Sequence, residues 1–525
     1  MNLEKKIVLF GDRITKDVFP YFEKELQKKY PEKNYEVINA GVASETSRDG
    51  LKRISTILKY NPDIIVIGFG MNDWRPAVGD KYGVGKFEYK NNLINMIDIF
   101  ESKNIRVLMS TITPSYDFER NIYNKQTIEY SEVVREIAYK KKLKIIDLER
   151  FWQQDIPNLK DGLRDYLHPN KKGYELISKY LTMIVPRKYT TILWQYNGRE
   201  AKCNYRCPYC YYIGLHNPQD RFTGYIGQWH ERFKEAFGNK DLIFYLAFGE
   251  PTIGKEFPNI VKMIENEPKW QLRITSNVSE NLELLAQSRL AQDGRLFINA
   301  SFHPVEIDID KFLQNIIYLR DAGIEICVVY VAYPPYLKRL ESDIKIFAQY
   351  GFVVHLRRFQ GEFRKKIYPW AYTDEERRFI AKYMDDNSIK YMLNQQENLG
   401  NLVFSGFDFF IVDNAGNVGF DSNAFAPYTK ERAIFGNIHT GNFRPYLRPG
   451  EYPGKHQQTT DGVANLLNSE IKQLEGNNTL HFSKQGGVYK NEKGEIIYCN
   501  IDKDFLNIEV REKYNFPLLD EPNAQ

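Results

Sequence analysis

Apolar residues in the first third of the chain fall in short, β-branched runs separated by longer stretches of helical periodicity. The runs Ile7–Phe10, Tyr35–Ile38, Ile64–Ile67, Ile105–Met109 and Lys144–Leu148 predict strands. Between them, Asp17–Lys29, Leu51–Tyr60, Tyr89–Ser102 and Thr127–Lys141 are long enough for crossover helices. Such alternation predicts a parallel sheet covered on both faces. It resumes after residue 188, with strands at Thr191–Tyr196, Leu242–Ala247, Gln271–Thr275, Leu296–Ala300, Glu325–Ala332 and Phe352–Arg357. The helices between them read Gln228–Phe237, Ile260–Glu265, Asn281–Ala291, Ile309–Ala322 and Leu340–Tyr350.

From about residue 386 the pattern changes. Phe404–Val418 reads as a hairpin around Asn414-Ala415-Gly416-Asn417, and Arg444–Gly462 as a long loop rich in Pro and Gly. A helix at Ala464–Leu474, a hairpin around Asn491-Glu492-Lys493-Gly494 and a disordered tail, Leu518–Gln525, are expected after it. The fold class is α/β. At 525 residues the chain exceeds the ~250–300 at which one core stops growing, so two or three domains are expected, and the changes of pattern divide it as 1–188, 189–385 and 386–525.

Composition narrows the function by exclusion. A formal charge of +4 on this length gives no case for nucleic acid or an anionic membrane as partner. No apolar run approaches the ~18 residues of a membrane span, and Ile7–Phe10 is too short for a signal sequence. Five cysteines, three of them clustered, form no disulfide framework and suit a reducing compartment, so a cytoplasmic location is expected. Aromatic content of 14% is high, which leaves aromatics to line a pocket as well as to pack cores.

The cluster is Cys203-Asn204-Tyr205-Arg206-Cys207-Pro208-Tyr209-Cys210, spaced C-x3-C-x2-C. Three thiolates on one short loop can ligate three irons of a [4Fe–4S] cluster and leave the fourth iron open. A structural zinc site would want a second Cys or His pair, and none follows. With Tyr209 before the last cysteine, the loop resembles the cluster loop of radical S-adenosylmethionine (SAM) enzymes. That resemblance implies a partial (β/α)6 barrel with its reactive face at the carboxyl ends of the strands. It implies Cys203, Cys207 and Cys210 as cluster ligands, SAM as cofactor and a flavodoxin- or ferredoxin-type one-electron reductant as partner. SAM would be cleaved to a 5′-deoxyadenosyl radical that takes a hydrogen atom from substrate. An iron–sulfur protein without catalysis is the alternative.

Strand-end residues extend the resemblance. Phe248-Gly249-Glu250-Pro251 is similar to the family's Gly-Gly-Glu-Pro segment, which grips the amino group of SAM; this implies roles for Gly249 and Glu250. Ser276 and Asn277 match the polar residues that contact ribose and carboxylate, and Ser301 is a further SAM contact by position. Tyr209 belongs to the same cofactor set. His303 points to substrate, or bonds to backbone. Cys327, in a predicted strand, is either a hydrogen-atom donor to a substrate radical or a small buried hydrophobe. Arg357-Arg358 and Tyr368-Pro369-Trp370-Ala371-Tyr372 either hold an anionic or sugar-bearing substrate or pack the next domain.

In the first domain, four blocks lie in order: Gly11-Asp12-Arg13-Ile14-Thr15, Asn39-Ala40-Gly41-Val42-Ala43, Gly70-Met71-Asn72-Asp73 and Asp165-Tyr166-Leu167-His168. Together they resemble the SGNH (GDSL-like) hydrolases, which implies a three-layer α/β/α sheet. The resemblance assigns Gly41 and Asn72 to an oxyanion hole, and Asp165 and His168 to the orienter and base. Arg13, beside Asp12, stands where the family has its serine. A guanidinium carries no nucleophilic lone pair, so hydrolysis is not expected unless Thr15 or Ser44 substitutes. Arg13 either grips an anionic group or plugs the pocket through Asp12 or Asp165.

The hairpin at 404–418, with Phe435-Gly436-Asn437-Ile438, resembles the auxiliary-cluster region (SPASM or twitch type) of radical SAM enzymes. Ser405 and Asp421-Ser422 stand in the neighbourhood of its cysteines, and Cys499 cannot hold a cluster alone. One cluster is therefore expected, in a small α+β extension. The combined reading is a radical SAM enzyme acting on a carbohydrate-containing substrate; a peptide substrate, or an esterase with a structural iron–sulfur domain, are the alternatives.

Overall fold

The computed structural model describes residues 5–451 except 80, 118–121, 124, 157, 197–202, 211–221, 223, 385–387, 395–401, 420–433, 444 and 446–449. Asp421-Ser422, the helix at 464–474, the hairpin at 491–494, Cys499 and the tail lie outside the described residues, as does most of the loop at 444–462. The chain divides into two compact units, Met1–Lys188 and Tyr189–Gln525.

In the first unit, β1 (Lys6–Gly11), β2 (Glu36–Gly41), β3 (Ile64–Gly68), β4 (Arg106–Ser110) and β5 (Ile145–Ile146) form one sheet in the order β2-β1-β3-β4-β5. Every pair is parallel. The central strands β1 and β3 bury both faces, which explains their unbroken apolar runs. Asp12 ends β1 and caps α1 (Arg13–Lys29), its carboxylate accepting from the Ile14 amide at 2.9 Å. The stretch read as one helix at 51–60 is two, α2 (Ser47–Lys52) and α3 (Ile54–Leu58), parted at Arg53 (φ −107°, ψ 15°); a Thr46–Asp49 capping box starts the first earlier. Lys86–Ser102 (α4) and Lys125–Lys141 (α5) are the expected crossovers. The run at 144–148 yields only two strand residues, since Leu148–Asp155 (α6) starts immediately after Asp147. Lys171–Ile184 (α7), capped by Asn170, packs on α1.

In the second unit, six parallel strands follow one another in sequence and in space: β6 (Thr190–Gln195), β7 (Leu242–Leu246), β8 (Trp270–Ser276), β9 (Leu296–Phe302), β10 (Glu325–Ala332) and β11 (Val353–Arg358). The connecting helices include α8 (Ile226–Phe237), α9 (Phe257–Glu265), α10 (Leu282–Gln287), α11 (Arg289–Gln292), α12 (Ile309–Asp321) and α13 (Leu337–Gln349). The predicted helix at 281–291 is interrupted at Ser288, whose hydroxyl caps α11. Alternation along the strands separates two faces. Ile274, Ile298, Val328 and Leu356 join the large core against the helices, whereas Phe297, Cys327 and Val353 cluster on the opposite, inner face.

The hairpin read near 404–418 is present as β12 (Phe409–Asp413) and β13 (Asn417–Gly419), followed by β14 (Ile434–Asn437). It does not stand apart. β12 pairs in parallel with β6, so the strands run β11-β10-β9-β8-β7-β6-β12-β13-β14 in one sheet. Tyr368, Trp370 and Tyr372 are buried, and the Tyr372 hydroxyl donates to the Ala332 carbonyl and accepts from the Phe359 amide at 2.8 Å. These aromatics close the ends of β10 and β11.

Candidate functional site

The cysteine loop is clamped at the carboxyl ends of β8 and β9. On the β8 side, Asn277 Nδ2 donates to Asn204 Oδ1 at 2.8 Å, and Asn204 Nδ2 donates to Ser279 Oγ at 2.8 Å. Ser279 closes the ring by donating to Asn277 Oδ1 at 2.6 Å. Asn277 Nδ2 also lies 3.9 Å from Cys203 Sγ, and the Tyr205 amide lies 3.4 Å from the same sulfur. On the β9 side, the Arg206 amide donates to Glu306 at 2.8 Å. The Tyr209 hydroxyl meets His303 Nδ1 at 3.1 Å, with the Tyr209 ring 4.9 Å from that of Tyr333. His303 thus faces the cysteine loop, and burial lowers its pKa to about 4, leaving the ring neutral. Asn204, Ser279 and Glu306 carry no signal of their own in the sequence, because their partners lie on segments distant along the chain.

None of the four described cysteines is in a disulfide. Burial pushes the Cys203 thiol up to about 12 and Cys207 higher. These thiols are protonated without metal, and iron would displace their protons on binding. Among the described residues, no three His, Cys, Asp or Glu are grouped to hold a single metal ion. The donor set fits a multi-iron cluster taking one thiolate per iron, with N–H groups directed at the Cys203 sulfur as its outer support.

Glu250 joins the ends of β7 and β8. It is buried, and Oε1 accepts from the Thr252 amide (3.1 Å), the Thr252 hydroxyl (2.6 Å) and Ser276 Oγ (2.7 Å). Oε2 accepts from the Asn277 amide at 2.6 Å. Both oxygens are engaged within the protein, so the carboxylate fixes the strand ends. Burial raises the Glu250 pKa, opposed by these four donors. Phe248 and Gly249 both adopt left-handed backbone, at φ +82° and +63°. Phenylalanine at the position of a family glycine therefore keeps the conformation that glycine adopts freely. Ser276 also accepts from the Val278 amide at 2.9 Å, and Ser301 is half-buried at the end of β9, in register with Val329.

Cys327 lies on the inner face and is buried, in register with Asn299 on β9 and Val353 on β11. Beside it runs a polar row: Asn299 Nδ2 lies 3.3 Å from Thr275 Oγ1, which meets the Tyr245 hydroxyl at 2.7 Å.

In the first unit, His168 Nδ1 lies 2.9 and 3.0 Å from the two Asp165 oxygens. Burial opposes the Asp165 charge, but the His168 and Leu167 amides and the imidazole outweigh it and hold its pKa low. Arg13 is exposed and bonds Asp17 at 3.3 Å, not Asp12 or Asp165. The two residues expected in an oxyanion hole are hydrogen-bonded within the domain. The Gly41 amide donates to Asn39 Oδ1 at 3.0 Å, and Asn72 Nδ2 donates to the Glu45 carbonyl at 2.9 Å. A Cβ at Gly41 would fall 2.4 Å from the Lys16 amide nitrogen, so α1 reaches its start only past a glycine. The Thr15 hydroxyl bonds the Gly68 carbonyl at 3.3 Å, and Ser44 is exposed at φ +66°. Asp12, beside Thr15 and Thr113, lines a cavity of about 40 Å³. Burial raises the Asp12 pKa to about 7 despite the Ile14 and Thr15 amides.

Residues 9–176 match the GDSL-like Lipase/Acylhydrolase family, and residues 201–345 match the Radical SAM superfamily. The chain therefore joins a GDSL-like hydrolase domain to a radical SAM domain. An acetylxylan esterase of Geobacillus stearothermophilus is 26% identical over 164 residues, spanning 29% of this chain and 74% of that protein. Among solved structures, a lipase/acylhydrolase from Enterococcus faecalis is 28% identical and covers 35% of this chain and 95% of that one, with a TM-score of 0.31. The acetylxylan esterase Axe2 from G. stearothermophilus is 21% identical over the same shares, with a TM-score of 0.32. Among the described residues, no helix is long and apolar enough to cross a membrane.

Proposed function

We propose that this chain is a radical SAM enzyme that holds one [4Fe–4S] cluster through Cys203, Cys207 and Cys210 and abstracts hydrogen from a carbohydrate-containing substrate. The observation that carries this reading is the three-thiol loop held between the Asn277 and His303 clamps at the carboxyl ends of adjacent parallel strands. When bound, the cluster and SAM supply a one-electron reductive cleavage that yields a hydrogen-abstracting radical. The chain's own residues fix the loop, keep the site compact and position substrate. Glu250 and Asn277 set the strand ends, Tyr209 and Tyr333 wall the loop, and Cys327 offers a buried thiol as hydrogen donor on the inner face.

A carbohydrate is favoured because the first domain has a relative that is an acetylxylan esterase, and its Asp165–His168 pair is formed. With Arg13 in place of a nucleophile, that domain serves to bind rather than to hydrolyse. The test is anaerobic reconstitution with iron and sulfide, followed by SAM and dithionite. Release of 5′-deoxyadenosine, lost when the three cysteines are replaced by Ala, supports the reading; a reconstituted protein that leaves SAM intact overturns it.

A further inference from the structure

The inner face of the sheet carries a group the cofactor residues leave unused. On β11, Val354 and Leu356 pack into the helix-facing core, so Val353, His355 and Arg357 project to the other side. Their neighbours on β10 in register are Cys327, Val329 and Val331. His355 is only 1% exposed, and neither ring nitrogen has a hydrogen-bond partner. A buried imidazole without a partner is costly unless something else satisfies it. Burial, with the Arg357 charge adding to it, depresses its pKa, so it stands as a neutral ring with one donor and one acceptor.

Arg357 is half-buried, and among the described residues it has no ion pair. Its field reaches both His355 and Cys327. Arg273 lies on the same face, over the Phe297 ring at 4.9 Å, and its charge is also felt at Cys327. Glu325, at the start of β10, is the carboxylate sensed there. The guanidinium fork of Arg357 suits a carboxylate or phosphate.

We propose that Arg357 and His355, above the Cys327 thiol, form a binding site for an oxyanion of the substrate, a carboxylate or a phosphate, on the inner wall of the barrel. This deepens the proposed function and rests on the barrel being its substrate chamber. The anion pairs with Arg357, and an adjoining hydroxyl meets the unsatisfied ring of His355. Cys327 is then brought beside the anchored part of the substrate.

The reconstituted holoprotein is titrated calorimetrically with inorganic phosphate and, separately, with glucuronate, and Cys327 alkylation by iodoacetamide is followed by peptide mass spectrometry in their presence. Binding of either anion, at least tenfold weaker in Arg357→Gln, restored in part by Arg357→Lys, and slowing Cys327 alkylation, supports the site. Preference for phosphate or for glucuronate tells which oxyanion it is built for. Binding that survives Arg357→Gln, or leaves Cys327 alkylation unchanged, overturns it, as does absence of binding for both anions. Melting curves of both variants show that they fold. Cluster absorbance and 5′-deoxyadenosine formation by the unmodified protein are measured alongside. Their failure with anion protection retained sinks the enzymatic reading alone; their success without protection sinks this site alone.

Discussion

The Tyr209 hydroxyl lies 3.1 Å from Nδ1 of His303, tying the residue before the last cysteine of the loop to the end of β9. Because burial keeps His303 neutral, the contact is a neutral hydrogen bond and not an ion pair. His303→Ala leaves a buried phenol unsatisfied. It is expected to cost about 1–3 kcal/mol of stability, read by urea unfolding of the second unit's tryptophan fluorescence. His303→Gln, able to accept from the phenol, should recover part of it. Equal losses in both variants would show that ring packing, not the hydrogen bond, matters.

Glu250→Gln replaces one acceptor oxygen by an amino group facing donors. Four hydrogen bonds converge on this carboxylate, so a loss of about 2–3 kcal/mol is expected, with weaker iron retention after reconstitution. Iron per chain, measured after gel filtration, checks it. Full retention would mean that the strand ends hold without the carboxylate.

Asp12 gives the first unit a pH dependence of definite sign. Its folded pKa, about 7, is above its ordinary value of 3.8, so the folded state holds a proton that the unfolded chain releases. Its contribution is fully present below about pH 4 and is lost as pH rises through 7, an effect of a few kcal/mol at most. Asp12→Asn keeps an oxygen for the Ile14 amide and removes the titration. Urea midpoints between pH 4.5 and 8 should fall with pH less steeply in this variant than in the parent. Identical slopes would contradict the assignment.

Arg13→Ser puts a hydroxyl where the hydrolase resemblance expects the nucleophile, with the His168–Asp165 pair intact. Hydrolysis of p-nitrophenyl acetate should appear but stay low, because the Gly41 amide is held by Asn39. Freeing that donor with Asn39→Ala in the Arg13→Ser background should raise the rate by roughly 10²-fold, the scale of one oxyanion donor. Adding His168→Ala should abolish it. A rate insensitive to His168 would mean that the old pocket is not being used.

Much of this was legible in the chain. All eleven expected strands of the two parallel sheets are found, because buried parallel strands write themselves as apolar runs such as Ile64–Ile67 and Leu242–Leu246. Helix α7 is not among the expected helices, although its buried positions are amphipathically spaced and Asn170 is a recognisable cap. The early start of α2 depends on the Thr46–Asp49 capping box, and the break before α3 on the non-helical backbone at Arg53, neither of which local periodicity registers. In the site, the residues at strand ends were placed, but their partners were not. Glu250 stands out at its strand end, but its bonds to Ser276 and Asn277, 26 and 27 residues away, cannot be read from the sequence. His355 lies inside an apolar run, where a histidine gives no sign in the sequence of lacking a partner.

The parallel pairing of β12 with β6 has a practical consequence. β6 would otherwise offer a row of unpaired amides and carbonyls at a sheet edge, a template for association with other chains. Truncating the chain at about residue 400 removes that cover while sparing every cysteine of the loop. Such a shortened protein is expected to self-associate, so the smallest well-behaved version of the radical SAM domain extends past Gly419, well beyond the family match that ends at residue 345.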